Sequence, residues 1–313
     1  MIIGHQKQWE LLKKSFEISK IPHAYLFCGE KSIGKKKVAL EFIKLINCKN
    51  GGPCQKCRDC QDFDKNTHPD FFLIGPEEFS NDNSSVGKKE IKIGQIKELH
   101  SRLALRSYSA PFKSVIVDQA HLLNQEAQSA FLKLLEEPKG KTVFILISEF
   151  PDMLLQTILS RVEVVKFYPV AQKEIEGFLK IKNISKEDAK KISSFSMGKP
   201  GRAISFISDP KKREFQRKKT EEIAKISRSD IASKFQYAKK LSEDPKRLTE
   251  ILEIWMRYFR EILISKAKDE KSFSQYSLLK MRKIIKLVQT INFLISTTNV
   301  SPKLALEILM LEV

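Results

Sequence analysis

The chain has 313 residues, enough for two or three domains, and at 42% hydrophobic it can bury ordinary cores. No apolar run reaches membrane-span length, and Met1-Ile2-Ile3-Gly4-His5-Gln6-Lys7 lacks the basic-then-apolar order of a secretory signal, so a cytoplasmic protein with no membrane role is expected. A formal charge of +18 favours encounter with polyanions, nucleic acid first; lysine used only for solubility gives the same number, and composition does not choose between them. Five cysteines in a reducing compartment point to metal or free thiols, not disulfides.

In chain order, residues 6–20 have helical periodicity, with Leu11, Leu12, Phe16 and Ile18 expected on the apolar face. Ala24-Tyr25-Leu26-Phe27-Cys28 reads as a buried strand, and Cys28 as a core thiol. A helix is predicted from about Lys35 to Ile46, then a turn-rich cysteine stretch at 48–60, then a strand at Phe71-Phe72-Leu73-Ile74. Residues 75–90 read as a polar loop. Further on come a helix at 93–105, a strand at 114–118 ending in an acid, a helix at 124–136 stopped by Pro138, and strands at 142–147 and 162–167. Short strands alternating with helices predict a mostly parallel α/β sheet. After Pro169 the strand signals stop. Residues 171–208 read as a small helical domain and 211–313 as almost wholly helical; the latter segment holds 23 Lys/Arg against 13 Asp/Glu, about +10 of the total.

Two motifs carry chemistry by residue type and spacing. The first is Gly29-Glu30-Lys31-Ser32-Ile33-Gly34-Lys35-Lys36, a Gly-x4-Gly-Lys loop directly after a strand. Its backbone N–H groups suit phosphates and Lys35 the outer ones, although a plain strand-to-helix turn has the same outline. A working loop continues with Ser or Thr to hold Mg²⁺, and here Lys36 stands instead. Asp118 ends a strand as a metal-side acid does, but Gln119 occupies the place of the water-activating Glu, and Gln is not a general base. Both departures argue against hydrolysis, leaving nucleotide binding absent or vestigial. The second motif is Cys48-x5-Cys54-x2-Cys57-x2-Cys60. Four thiolates complete a tetrahedral shell with no open position, which predicts structural Zn²⁺; an iron–sulfur cluster and free thiols are the other readings. His68 is either a further ligand or a loop support. The other histidines, His5, His23, His100 and His121, read as packing or surface residues.

The residues now carry a resemblance. His23-Ala24-Tyr25-Leu26-Phe27, the cysteine module with His68-Pro69-Asp70, the run from Asn124 to Pro138 (NQEAQSAFLKLLEEP) and Leu155-Gln156-Thr157-Ile158-Leu159-Ser160-Arg161 are similar to those of bacterial clamp-loader subunits, AAA+ proteins that load the sliding clamp for DNA polymerase III. The likeness covers about residues 1–205. The degenerate loop resembles that of the non-hydrolysing kind of subunit; the gamma/tau motor kind would keep Ser or Thr at 36 and Glu at 119. The resemblance implies that Ser160-Arg161 sits at a subunit edge, with Arg161 as an arginine finger in a neighbour's ATP site. Val162 replaces the family's usual Cys, and an ordinary surface arginine is the alternative. Gly198-Lys199-Pro200-Gly201-Arg202-Ala203 resembles the second-sensor segment, with Arg202 as its vestigial arginine, and Ser148 stands near the first-sensor position.

The expected architecture is therefore an α/β AAA+ domain at 1–169 with a zinc-binding insert at 48–70, a small helical lid at 170–208 and an all-α collar at 209–313. The implied partners are other clamp-loader subunits, gamma/tau and delta, with the sliding clamp contacted indirectly and primer–template DNA within the complex. The apolar stripe Ile251, Leu252, Ile254, Trp255, Tyr258, Phe259 reads as core and subunit interface. Two rivals remain open at this stage: an active gamma/tau-type ATPase, and a zinc-containing nucleic-acid-binding module with a relic phosphate loop. The Cys cluster lacks the adjacent aromatic and basic run that stacks bases, which counts against the second.

Overall fold

Five strands make one parallel sheet in the order β2-β5-β6-β1-β7, where β1 is Ala24–Cys28, β2 Phe71–Ile74, β5 Lys113–Val117, β6 Thr142–Ser148 and β7 Glu163–Lys166. The computed structural model describes residues 2–78, 89–268, 277–298 and 300–313. A two-residue pair, β3 (Glu77–Glu78) with β4 (Lys89–Glu90), is antiparallel. It replaces the ends of the expected 75–90 loop; the middle of that loop, 79–88, lies outside the described residues.

The central strands β1, β5 and β6 are buried along their whole length, as parallel strands covered on both faces must be. Their side chains alternate between two cores. Leu26, Val115, Val117, Phe144 and Leu146 face helices α4 (Ile93–Ala104) and α5 (Gln125–Glu136). Tyr25, Phe27, Ile116, Val143 and Ile145 face α1 (Gln6–Glu17), α2 (Lys35–Asn47) and α3 (Arg58–Lys65). Cys28 lies in the first of these cores.

The apolar face expected for α1 needs correction. Leu12 is buried and Trp9 and Phe16 pack beside it, but Leu11 and Ile18 are more than half exposed. Trp9, Leu12 and Phe16 follow the helical spacing of three and four; Leu11, next to Leu12, lies about 100° round the helix from it and off that stripe, and Ile18 falls beyond the last helical residue. Among the described residues no helix is long and apolar enough to cross a membrane.

A short helix α6 (Gln156–Leu159) precedes β7, and three helices follow it: α7 (Gln172–Ile181), α8 (Lys186–Ser196) and α9 (Pro200–Ser208). By packing, the chain divides into two compact units, Met1–Ile204 and Ser205–Val313. The second unit contains α10 (Pro210–Ile226), α11 (Ile231–Ser242), α12 (Pro245–Lys268), α13 (Leu278–Thr297) and α14 (Pro302–Glu312). Its core gathers Ile251, Leu252, Ile254, Trp255 and Phe259 of α12 with Ile284, Val288, Leu306 and Leu309, so most of the expected stripe is interior and Tyr258 is partly buried beside it.

Candidate functional site

The C-terminal ends of β1, β5 and β6 converge at one edge of the sheet, beside the point where strand order reverses around β1. Open parallel sheets bind their ligands there. β1 runs into the glycine-lysine loop. Gly29 has φ of +149°, and a Cβ on it would stand 2.6 Å from the Phe167 carbonyl oxygen, so only glycine fits. Lys35 opens α2 and is 5% exposed. Its Nζ donates to the carbonyl oxygens of Gly29 and of Glu30, the latter at 2.7 Å. Burial lowers its pKa, against the pull of the Glu149, Asp118 and Glu30 carboxylates.

The rest of the loop is also held from inside the protein. His5 Nε2 lies 2.7 Å from the Ile33 carbonyl oxygen. The Gly201 N–H, in the first turn of α9, donates to the Ser32 carbonyl at 2.8 Å, and a Cβ at 201 would sit 2.8 Å from that same oxygen. Lys199 Nζ pairs with the Glu30 carboxylate at 2.8 Å. Arg202 follows Gly201 in the same helical turn.

A cavity of about 290 Å³ lies between the loop and the ends of β5 and β6. Lys36 Nζ reaches Asp118 Oδ2 across it at 3.2 Å. Gln119 holds a left-handed backbone, φ 54°, at the start of a short turn over Ala120–Leu122. That turn brings His121 into the lining, where sequence reading had left it as packing or surface. His121 Nδ1 lies 3.3 Å from Ser148 Oγ, and burial first, then the Lys35 cation, drive its pKa down to about 4. Ser148 Oγ also accepts from the Phe150 N–H. No spacing in the sequence signals the contacts of His5 or His121; both depend on tertiary closure.

The four cysteines form a second centre, between α2 and α3. Their Sγ atoms all lie within 4.8 Å of one another, with Cys48–Cys57 at 4.0 Å and Cys54–Cys60 at 3.9 Å. A tetrahedral shell with metal–sulfur bonds of about 2.3 Å requires sulfur–sulfur edges of about 3.8 Å. Backbone N–H groups support the sulfurs: Cys57 N–H donates to Cys54 Sγ at 3.3 Å and Cys60 N–H to Cys57 Sγ at 3.4 Å. The N–H groups of Cys57 and Lys56 bring the Cys54 pKa down to about 6, whereas burial pushes Cys57 and Cys60 up. The cluster can hold a metal ion. His68 is outside it: its ring stacks on Phe63, centroids 4.2 Å apart, and its Nδ1 accepts from the Asp70 N–H. Asp70 in turn accepts from the backbone N–H groups of Tyr108, Ser109 and Ala110 at 2.8–2.9 Å. His68-Pro69-Asp70 thus fastens the module to the segment before β5.

The module is also tied to α2 by a buried lysine that sequence reading missed. Lys44 has no exposed side chain, and its Nζ meets Glu41 at 3.0 Å and both oxygens of Asp64 at 2.9 Å. Its signal was a lysine in an otherwise apolar helical stretch with Glu three residues earlier.

Ser160 caps α6, and Arg161 follows it on the surface. The Arg161 guanidinium is held by three acceptors: Thr157 O at 3.0 Å, Ser160 Oγ at 3.5 Å and Glu136 Oε1 at 2.9 Å. Buried Gln128 sets the segment's position, since its amide nitrogen donates to Leu123 O and Met153 O and its oxygen accepts from the Leu155 N–H.

The parallel sheet in the order β2-β5-β6-β1-β7, its strand-end loop and its acid together define a nucleotide-binding-type α/β domain of the AAA+ class. A family described as "DNA polymerase III, delta subunit" matches residues 4–171, more than half of the chain, and the chain belongs to it. The protein is 35% identical over 189 residues to the DNA polymerase III subunit delta' of Bacillus subtilis, covering 60% of this chain and 54% of that one. It is 37% identical over 142 residues to the subunit delta' of Pseudomonas aeruginosa, covering 44% and 41%. A DNA polymerase III subunit gamma of Buchnera aphidicola is 29% identical over 215 residues, covering 66% and 56%. The chain therefore aligns with about half the length of these relatives. Among solved structures, a gamma-subunit-related protein of Thermotoga maritima overlaps 97% of both chains at 19% identity and a TM-score of 0.46.

The residues fit the two groups that such a domain implies unequally. Four cysteines with tetrahedral spacing suit a closed metal shell. The Mg²⁺ of a nucleotide site does not fit: the position that should offer a hydroxyl offers an ammonium, already paired with the acid that would help hold the ion.

Proposed function

We propose that this chain is the delta-prime-type subunit of a DNA polymerase III clamp loader, with a catalytically silent nucleotide site of its own. The observation that carries the reading is the Lys36–Asp118 pair, together with Gln119 where a general base is needed. A polyphosphate with no place for a metal and no base beside it is not hydrolysed. In this reading the chain is organised as an AAA+ domain at 1–169, a lid at 170–208 and a collar at 209–313. It works in a hetero-oligomer with gamma/tau and delta, which loads the sliding clamp on primer–template DNA.

Its contribution to catalysis is made in trans. Arg161 stands on the surface, its guanidinium oriented by Thr157, Ser160 and Glu136. A planar cation inserted into a neighbour's site neutralises charge that builds on phosphate oxygens during transfer. The cysteine cluster holds Zn²⁺ as a structural ion; when bound it fixes the ends of α2 and α3.

The test is ATP turnover with Mg²⁺ by the purified subunit and by the reconstituted complex. The subunit alone is expected to be inactive, and the complex active. Robust turnover by the subunit alone, abolished by Lys35→Ala, would overturn the reading in favour of a gamma/tau-type motor. That rival has gamma and tau relatives at 27–29% identity behind it.

A further inference from the structure

The Lys36–Asp118 contact does more than remove a metal ligand. We infer that the Lys36 ammonium is the resident cation of this site: it takes the place of the divalent ion and ties the start of α2 to the end of β5 without any ligand. The inference concerns the same loop as the non-hydrolysing reading and rests on it for the family's expectation of a metal; the geometry itself is independent of that reading.

Three observations converge. First, Asp118 is the residue after β5, and Lys36 is the second residue of α2; their side chains span the cavity at 3.2 Å. A divalent ion held between a position-36 hydroxyl and Asp118 would bridge the same two elements. Second, the cavity wall already carries a second ammonium, Lys35, held on the carbonyl oxygens of Gly29 and Glu30 and lowered in pKa by burial. An incoming divalent cation would meet both ammonium charges, and Asp118 would have to release Lys36. Third, the acceptors of the loop are engaged from within. The carbonyl oxygens of Gly29 and Glu30 accept from Lys35, that of Ser32 from Gly201, and that of Ile33 faces His5, while Glu30's carboxylate holds Lys199. In a metal-dependent site, loop, acid and lid are joined through the ligand. Here side chains and backbone make each of these joints.

Three variants of the full chain test this, with Mn²⁺ and ADP as the probe. Retained Mn²⁺ is read from water-proton relaxation, and the folded state from thermal melting. Wild type should retain no Mn²⁺ beyond a metal-stripped control with the cysteine cluster filled by Zn²⁺. Lys36→Ser restores an oxygen and removes the cation; it should gain ADP-dependent Mn²⁺ binding of at least about tenfold, and adding Asp118→Asn should abolish that gain. Lys36→Met removes the cation without supplying a ligand. It should gain no Mn²⁺, but should lower the melting midpoint by about 1–3 °C, as loss of a half-exposed ion pair does.

Equal Mn²⁺ retention by wild type and Lys36→Ser would overturn the inference. So would a Lys36→Ser protein with no gain, or Lys36→Met with an unchanged midpoint. ATP turnover measured on the same samples separates the two readings. Turnover by wild type without retained Mn²⁺ sinks the non-hydrolysing role and leaves the resident cation standing; retained Mn²⁺ without turnover does the reverse.

Discussion

Arg161 Nη2 donates to Glu136 Oε1 at 2.9 Å, joining the end of α5 to the residue that follows α6 and its cap. Both side chains are well exposed, so the pair adds little to folding, about 0–1 kcal/mol. Its value is orientation: with Thr157 and Ser160 it fixes one edge of the guanidinium. Arg161→Ala is therefore expected to leave the subunit folded and the complex assembled. DNA- and clamp-stimulated ATP turnover by the complex should fall. Arginine fingers are worth roughly 10³–10⁵ in rate in GTPases; in the role proposed for Arg161 the steady-state loss should be much smaller if other sites in the complex work. Arg161→Lys should also be impaired, because a point charge does not reproduce the guanidinium fork. Unchanged turnover and loading with Arg161→Ala would leave Arg161 as a surface residue.

The cysteine cluster predicts one tightly held Zn²⁺ per chain, measurable by elemental analysis of protein purified without chelator. Metal binding and local folding are coupled in closed shells. Cys57→Ser combined with Cys60→Ser should therefore release the metal and loosen α3, whose N-cap is Cys57 itself. Hydrogen exchange should accelerate across Arg58–Lys65 while the central strands stay protected. Zinc-free wild-type protein with normal protection of α3 would refute the assignment.

The α/β sheet was legible because its central strands are fully buried and read as apolar runs, such as Ala24–Cys28 and Thr142–Ser148. The cysteine spacing and the glycine-lysine loop were legible because ligand geometry and turn geometry act over a few residues. What escaped notice acts at long range. His5 is brought to the loop by α1, and His121 by a turn that starts from a left-handed Gln119. Helix α3 was hidden by its composition, RDCQDFDK, in which only Cys60 and Phe63 are buried. The α1 face was misassigned because the four apolar residues among its 12, Trp9, Leu11, Leu12 and Phe16, allow two registers, and packing on the sheet selects the one containing Trp9.

Asp70 should prove important to stability out of proportion to its size. Burial opposes its charge, yet three backbone N–H bonds from Tyr108, Ser109 and Ala110 hold its pKa below the usual carboxylate range. Asp70→Asn keeps one carbonyl oxygen but loses the charge and the second acceptor, and a cost of about 1–3 kcal/mol is expected. Denaturant unfolding of the two proteins at pH 7 measures it. A difference below about 0.5 kcal/mol, the range of ordinary surface substitutions, would show that the segment before β5 is held by other contacts.

Lys44, Glu41 and Asp64 tie α2 to α3. Lys44 is fully buried and Glu41 nearly so, while Asp64 is 40% exposed and Lys37 also reaches both acids. Burial opposes all three charges, but the mutual hydrogen bonds outweigh it: the Lys44 pKa is raised, and those of Glu41 and Asp64 are lowered. Breaking a buried pair by removing one partner costs about 3–5 kcal/mol. Because Lys37 remains and Asp64 is partly solvated, Lys44→Ala should cost nearer the lower end at pH 7. The pH dependence follows from the signs. Each lowered carboxylate contributes stability that is fully present above its unfolded pKa of about 4, and that is lost as pH falls through the lower folded value. The raised Lys44 contributes stability that is complete below about pH 10.4 and lost as pH rises through its higher folded value. The wild-type advantage over Lys44→Ala should therefore be flat from pH 6 to 9 and shrink toward pH 3. Urea unfolding of both proteins at pH 7, 5 and 3 checks it. A difference that stays constant down to pH 3 would mean that Lys44 acts by packing its methylenes, with no electrostatic tie between α2 and α3.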